Sequence, residues 1–268
     1  MIFTNDLNPI LFSGGPLPLR WYGLLFASGL ALGYLVVHKA FKRNNFPLEH
    51  LESLLVYLFI GIVLGARLGE ILFYEPAYYF GHPLEMIKIW KGGLASHGAA
   101  IGLFLAYFIW CRVHKIKFSK YVDSITLGIP VVAMFVRIGN FFNSEIYGYP
   151  TNGNFGVIFK RLGEDFPRHP AQLYEAALNL GIIALFFFLW KKGGTTSRPP
   201  MFFLFLYLLL YFGGRFILEI FKDLHTLPEG FPLSMGQVLS IIPVILALIY
   251  FFFFFFAPLK ISASRPQK

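Results

Sequence analysis

Seven long apolar runs dominate this sequence, and each is near the roughly 20 residues that a helix needs to cross a bilayer. They lie at about 19–38, 52–74, 96–111, 121–143, 175–190, 201–221 and 235–256. Only 14% of the residues are charged, whereas about a quarter is usual in a soluble domain. The runs are continuous rather than alternating, which argues against an outer-membrane barrel. The sequence therefore predicts an all-α polytopic membrane protein with seven transmembrane helices.

The cations between the runs are distributed unevenly. Thirteen follow the first, third, fifth and seventh runs, and seven lie in the longer connections on the other side. The larger group is Lys39, Lys42, Arg43, Arg112, Lys115, Lys117, Lys120, Lys191, Lys192, Arg198, Lys260, Arg265 and Lys268. By the positive-inside rule this side is cytoplasmic. We therefore expect the N-terminus outside and the C-terminus inside, and we expect no nucleic-acid partner, because the cations form no stripe.

The chain is expected to form a single integral membrane domain over residues 1–268. Its first 19 residues contain no Lys or Arg, so the first run is interpreted as a retained span and not as a signal peptide. The external segments at about 75–95 and 144–174 are the longest, and we expect them to form a small cap. Cys111 is the only cysteine, which excludes internal disulfides and a cysteine metal site.

The segment from Arg137 to Thr151 carries polar residues where a span should leave the bilayer. At helical spacing Arg137, Asn140 and Asn143 share one face, and Glu145 and Gly148 follow. Ionisable groups at membrane depth are costly, so they indicate a functional site by default. The alternative is a structural arginine that binds backbone carbonyls or a nearby glutamate.

Two further arginines, Arg67 and Arg215, lie within spans and in the same outer third of the expected bilayer. Arg67 precedes Glu70 by three residues, and we favour an ion pair on the helix surface for it. Arg215 precedes Glu219 by four residues and follows two glycines that permit close helix approach. A guanidinium offers a fork of donors to two phosphate oxygens. These charges at one depth predict a site that opens to the outer leaflet.

His97 falls in the expected first turn of the third span. A helix N-terminus disfavours imidazolium, so it favours the neutral form that a general base needs. The alternative is an interfacial histidine bonded to a loop carbonyl. Tyr22 is either an interfacial aromatic residue or a hydrogen-bond donor at the site. His169, Gln172 and Glu175 either support the site or cap the fifth span.

Several site types find no support in the sequence. No His, Asp or Glu pair has metal-ligand spacing such as H-E-x-x-H, and there is neither a G-x-S-x-G elbow nor a Walker loop. We therefore expect no metal and no cofactor. Cys111 lies at the cytoplasmic end of its span, so a catalytic thiol belonging to this chain is not expected.

Seven segments in order resemble the phosphatidylglycerol–prolipoprotein diacylglyceryl transferase family of bacterial inner membranes. They are R-W-Y-G at 20–23, G-A-R-L-G at 65–69, W-K-G-G-L-A-S-H-G at 90–98, R-I-G-N-F-F-N-S-E-I-Y-G-Y-P-T at 137–151, H-P-A-Q-L-Y-E at 169–175, G-R-F-I-L-E-I-F-K at 214–222 and L-S-M-G-Q at 233–237. The resemblance implies seven spans in a multi-pass inner-membrane protein, with the active site facing the outer leaflet and the periplasm.

The reaction implied by the resemblance moves the diacylglyceryl group of phosphatidylglycerol onto the thiol of a lipobox cysteine. A thioether forms and glycerol phosphate leaves. The expected partners are phosphatidylglycerol, the prolipoprotein signal peptide with its lipobox, and the lipid bilayer. The resemblance implies catalytic roles for His97, Arg137 and Arg215. It implies substrate-binding roles for Tyr22, Asn140, Asn143, Glu145, Gly148 and Glu219.

This chain departs from the family pattern at two places. Ser96 precedes the histidine where phenylalanine is frequent, and Gly98-Ala99 follow it where a second glycine is frequent. Lys222 stands where many members have arginine, which weakens any expectation of bidentate binding there. The competing class is a phospholipid-binding protein or transporter without chemistry, because the same arginines would recognise a phosphate in transport.

Overall fold

The computed structural model describes residues 1–14, 18–93, 95–223 and 232–256. Within them, six helices are long and apolar enough to cross a membrane: Trp21–Arg43, Leu48–Tyr74, Val122–Asn143, Ala171–Gly193, Phe202–Phe221 and Met235–Phe254. The third predicted span corresponds to a shorter apolar helix, His97–Val113. The chain is therefore an all-α polytopic membrane protein. The count of seven spans stays a prediction, and the cations Lys260, Arg265 and Lys268 lie outside the described residues.

The α-helices are α1 Trp21–Arg43, α2 Leu48–Gly69, α3 Pro76–Gly81, α4 Ser96–Val113, α5 Val122–Thr126, α6 Ile129–Asn143, α7 Ala171–Gly193, α8 Phe202–Tyr207, α9 Gly213–Leu218 and α10 Met235–Phe256. Two π-helical segments interrupt the spans. Glu70–Tyr74 continues α2, and Leu208–Phe212 joins α8 to α9. The helix Phe202–Phe221, which corresponds to the predicted sixth span and is called the sixth span below, is thus continuous but made of short segments, and it ends in the 3₁₀ turn Glu219–Phe221.

Two small sheets, which the sequence analysis did not predict, lie in the connecting segments. Their strands are β1 Ile2–Asn5, β2 Ile10–Phe12, β3 Leu19–Arg20 and β4 Gly156–Phe159. β1 pairs in parallel with β4, and β2 pairs antiparallel with β3. The Asn5 side chain is buried and donates to the Phe141 carbonyl over 2.9 Å. Asn5 thereby gives the Phe141 carbonyl a second donor, beside the Ser144 amide that donates to it over 3.1 Å.

The chain forms two compact units, residues 1–40 with 123–268, and residues 41–122. In the first unit, α6 packs against α7, and Gly29 and Gly33 of α1 lie against Phe135 and Val132 of α6. The apolar core of this unit is formed by Ala40, Leu127, Ile182, Phe186, Phe203 and Tyr207.

In the second unit, residues 41–122, α2 and α4 form a tight pair. Gly61 and Gly65 of α2 face Gly102 of α4, and a methyl group on Gly65 would lie 2.7 Å from the Gly102 Cα atom. Such small residues allow helix backbones to approach closely inside a membrane. At the other end of the pair, Trp110 Nε1 donates to Ser53 Oγ over 3.1 Å.

Asp123 closes the start of the sixth span. Its buried carboxylate accepts a hydrogen bond from the Leu204 backbone amide over 3.0 Å. The first amides of a helix have no partner within the helix. Asp123 therefore acts as an N-cap from a distant part of the chain.

We expect Asp123→Ala to destabilise the protein by about 1–2 kcal/mol, the range for loss of an N-cap. Thermal unfolding of the purified protein in detergent measures the change. Asp123→Asn is the matched control, because its amide oxygen still accepts one hydrogen bond, and it should lose less. Equal stability of Asp123→Ala and the wild type would contradict the capping role.

Candidate active site

The polar end of α6 forms as the sequence analysis predicted, with the helix ending at Asn143. Ser144 stops it by adopting a left-handed conformation with φ of 56°. The Glu145 amide then donates back to the Asn140 carbonyl over 2.9 Å. Gly148 lies after this reversal and does not itself end the helix. The turn places Glu145 beside the last residues of α6.

A chain of five alternating charges lies inside the first unit. Arg137 Nε binds Glu175 Oε2 over 2.5 Å, and the other Glu175 oxygen binds Lys222. Lys222 Nζ also binds Glu219 Oε2 over 2.9 Å. Glu219 Oε2 lies 3.9 Å from Arg215 Nε. The chain thus connects α6, α7 and the end of the sixth span.

This chain of charges is buried, so an imbalance between its positive and negative groups costs free energy. Glu175, Glu219 and Lys222 are all buried, and Glu175 has no exposed surface. Burial of unpaired charge costs several kcal/mol per ion, so each carboxylate here needs its cation. Three cations face two carboxylates, which leaves one positive charge in excess. The arrangement favours a ligand with a single negative charge.

Arg215 is the least satisfied cation of the group. Among the described residues, no atom accepts a hydrogen bond from its buried Nε. Its side chain keeps 23% of its surface exposed, more than the 14% of Arg137. A guanidinium with free donors that is open on one side is suited to binding an anion.

The amide side chains predicted at the site form a short network. Arg137 Nη1 donates to Asn140 Oδ1 over 3.4 Å, and Asn140 Nδ2 donates to Glu145 Oε2 over 3.3 Å. Asn143 Nδ2 donates to the second Glu145 oxygen over 3.2 Å. Gln172 Nε2 fixes the same turn by donating to the Glu145 carbonyl over 2.6 Å. Glu145 is exposed, so water screens its charge more than that of Glu175.

Gly148 lies where two backbone segments meet. Its amide donates to the His169 carbonyl over 2.8 Å, and it forms a bridge with Lys222. A methyl group here would collide with the Phe221 carbonyl and lie 2.6 Å from His169 Cβ. Gly148 therefore permits the approach of the segment that carries Lys222.

We expect Gly148→Ala to destabilise the protein by about 1–3 kcal/mol, the usual cost of overpacking, because the added methyl group displaces Phe221 and with it the Lys222 ammonium. Thermal unfolding of the purified protein in detergent measures the change. Gly181→Ala on α7 is the control, since a methyl group there meets no atom within 4 Å. Equal unfolding temperatures of Gly148→Ala and the control would refute the steric role.

The remaining predicted residues occupy distinct places. The Tyr22 ring packs against Gly139 of α6, where a methyl group would lie 2.8 Å from the ring. His97 belongs to the second unit, in the first turn of α4, and its Nδ1 lies 3.5 Å from the Tyr74 hydroxyl. Arg67 is buried and binds backbone carbonyls, so the expectation of a surface ion pair with Glu70 did not identify its main partners.

Three members of the polar site were missed or undervalued in the sequence analysis. Glu175 is central to the chain of charges. Tyr211 stacks on Tyr207 with ring centroids 5.2 Å apart, one turn before Arg215 on the same span. Lys222 binds both buried carboxylates, Glu175 and Glu219. In the sequence, Tyr207, Tyr211, Arg215 and Glu219 are spaced four residues apart, which indicates one polar face of a helix and could have identified Tyr211.

A second ionic cluster lies outside the spans, in the segment after α6. Arg168 binds both oxygens of Glu164, over 2.5 and 2.6 Å, and Asp223 over 2.7 Å. These hydrogen bonds, above all those to Glu164, raise the pKa of Arg168 above its ordinary value. Arg168 also pairs with Val157 through its backbone. This cluster fixes the segment between α6 and α7 next to Gly148.

Comparisons with known proteins show the family of this chain. A family model described as prolipoprotein diacylglyceryl transferase matches residues 9–253. A phosphatidylglycerol–prolipoprotein diacylglyceryl transferase from Tolumonas auensis is 45% identical over 249 residues, covering 92% of this chain and 95% of the relative. Proteins of the same name from Chloroherpeton thalassium and a Wolbachia of Culex pipiens are 40% and 37% identical, over 91% of this chain and 91% and 94% of the relatives. This chain belongs to the prolipoprotein diacylglyceryl transferase family.

Proposed function

We propose that this chain transfers the diacylglyceryl group of phosphatidylglycerol to the lipobox cysteine of a prolipoprotein, the first step of lipoprotein maturation. The observation that supports it most directly is the buried chain of charges with one positive charge in excess. A phosphodiester carries one negative charge and would neutralise that excess. The family membership supplies the identity of the lipid and of the acceptor.

In this mechanism Arg137 and Arg215 hold the phosphate, and Asn140, Asn143, Glu145 and Glu219 orient them or the head group. Tyr22 and Gly148 shape the same site. The cysteine sulfur forms a bond to the terminal carbon of the diacylglyceryl group, and the bond from that carbon to the phosphate oxygen breaks. The oxygen keeps the electron pair, so glycerol phosphate leaves as an anion that the arginines stabilise. The thiol proton goes to His97.

The proposed placement in the cell follows from the charge distribution. Cations are concentrated in the connections after alternate spans. This pattern supports seven spans with the N-terminus outside and the C-terminus in the cytoplasm. The family membership supports a bacterial inner membrane as the location. Arg137 and Arg215 then lie near the outer leaflet, where phosphatidylglycerol and the lipobox meet on the periplasmic side.

The experiment that tests this function uses purified protein, phosphatidylglycerol and a lipobox peptide. A peptide mass gain of one diacylglyceryl group, with release of glycerol phosphate, is expected. A peptide with Cys replaced by Ser should gain nothing. Well-folded protein that produces no mass gain would contradict the transferase and favour a lipid-binding protein or transporter, since transport makes no new bond.

We expect His97→Gln to lower transfer by about 100- to 10,000-fold at neutral pH, the usual contribution of a general base. Since a free thiol has a pKa of about 8.5, the loss should shrink as the assay pH rises through that value and thiolate forms without a base. Rates at several pH values with the same peptide measure this. His82→Gln, in the same unit, is the control. A loss that is independent of pH would argue against His97 as the base.

A further inference from the structure

The segment G-A-R-L-G of α2, residues 65–69, faces the start of α4. A methyl group on Gly69 would lie 2.7 Å from the Gly98 Cα atom, and one on Gly65 would collide with the Gly98 carbonyl. Between these glycines, the Ala66 carbonyl accepts a hydrogen bond from the Ala95 amide over 3.0 Å. The backbone is therefore held at Ala95 and at Gly98, the positions that flank the turn containing His97.

Arg67 holds the chain that leads into this turn. Its Nε donates to the Met86 carbonyl over 2.8 Å, and its Nη1 donates to the carbonyls of Gly92 and Gly93 over 2.7 and 2.9 Å. Its Nη2 donates to the Glu85 carbonyl. Four of the five guanidinium N–H groups are thus used on backbone carbonyls. Bidentate binding of a phosphate needs two N–H donors, and Arg67 has only one left. Arg137 and Arg215 are better suited to that role.

Neighbouring residues support the contact between the Arg67 guanidinium and the backbone carbonyls. The Tyr79 ring lies 4.7 Å from the guanidinium carbon, which gives a cation–π contact on one face. Gly93 adopts a φ of +71°, and a side chain there would lie 2.8 Å from Arg67 Nη1 and from the Tyr79 hydroxyl. The two glycines therefore let their carbonyls turn toward the arginine. Arg67 itself is 6% exposed.

We propose that Arg67 is a positioning residue that fixes the backbone entering α4 and thereby holds His97 in place for proton transfer. This rests on the proposed function of His97 as the base. A general base must lie within hydrogen-bond reach of its proton, and a misplacement of about 1 Å can cost about 100-fold in rate. Lysine cannot replace the arginine, because an ammonium has three donors and no planar fork.

The test compares Arg67→Lys with the wild type in full-length protein, using phosphatidylglycerol and the lipobox peptide. We expect kcat to fall about 10- to 100-fold while the KM for the lipid changes less than about twofold. The loss should shrink between about pH 7 and about pH 9, because thiolate then forms without the base. Arg112→Lys on α4 is the matched control and should behave as wild type.

A double variant separates positioning of the base from general structural damage. In the His97→Gln background, measured with enzyme in excess, Arg67→Lys should cause less than about a twofold further loss. Hydrogen exchange of the amides at 95–99 should become faster in Arg67→Lys. A raised KM with unchanged kcat, a loss that multiplies with that of His97→Gln, or unchanged exchange would each overturn the proposal. Wild-type turnover in His97→Gln alone would instead overturn the assignment of the base.

Discussion

Arg137→Ala is expected to lower the rate of diacylglyceryl transfer by about 100- to 1000-fold, the usual effect of removing one group that stabilises charge in a transition state. The variant should still fold, because Glu175 keeps Lys222 as its cation. The remaining four members of the chain of charges, Lys222, Arg215, Glu175 and Glu219, are then neutral as a group. The excess positive charge is gone, so the phosphate loses its counter-charge and the donors of Arg137, and only the Arg215 guanidinium is left to bind it.

Arg137→Lys distinguishes these two contributions. Lysine restores the excess charge but not the planar fork, and its single ammonium cannot serve Glu175, Asn140 and a phosphate together. We expect Arg137→Lys to recover part of the lipid affinity and little of kcat. Arg161→Ala, at an exposed position between α6 and α7, is the control and should keep full activity. Measurement of kcat and KM for phosphatidylglycerol separates the contribution of the charge from that of the planar fork. Full activity in Arg137→Ala would contradict the placement of Arg137 at the phosphate site.

The apolar runs predicted the spans well because hydrophobicity over 20 residues is a local property. The span expected at about 121–143 ends at Asn143, and the one expected at about 235–256 matches α10. The fifth span begins four residues earlier than expected, at Ala171. Its first turns contain Gln172 and Glu175, which look like loop residues but are buried because their partners lie on other elements.

The parts that could not be predicted depend on packing between distant segments. β1 pairs with β4, about 150 residues later, and neither strand is long enough to show a pattern. In the sequence analysis, Lys222 only weakened the expectation of bidentate binding, because it stands where many family members have arginine. In the structure it occupies the space between Glu175 and Glu219, a role that becomes visible only when α7 lies beside the end of the sixth span.

The carboxylate of Glu175 explains how three cations coexist in a buried site, and its removal should have the second large effect. Glu175→Gln keeps the shape but leaves Arg137 and Lys222 without their shared counter-charge. Breaking a buried ion pair by removing one partner costs about 3–5 kcal/mol. We expect a clear drop in thermal stability in detergent together with a loss of transfer activity. Glu52→Gln, at an exposed position, is the control and should change neither.

Lys222→Met added to Glu175→Gln tests whether charge balance is the cause. The double variant removes one cation and one carboxylate, so the remaining groups, Arg137, Arg215 and Glu219, again carry one excess positive charge. Stability should recover largely, since a buried ion pair can be replaced by neutral groups at little cost. Activity should stay low, because the neutral amide introduced by Glu175→Gln cannot hold Arg137 Nε as an ionised carboxylate does, and the guanidinium is free to turn. Recovery of activity along with stability would show that Glu175 balances charge and does not orient Arg137.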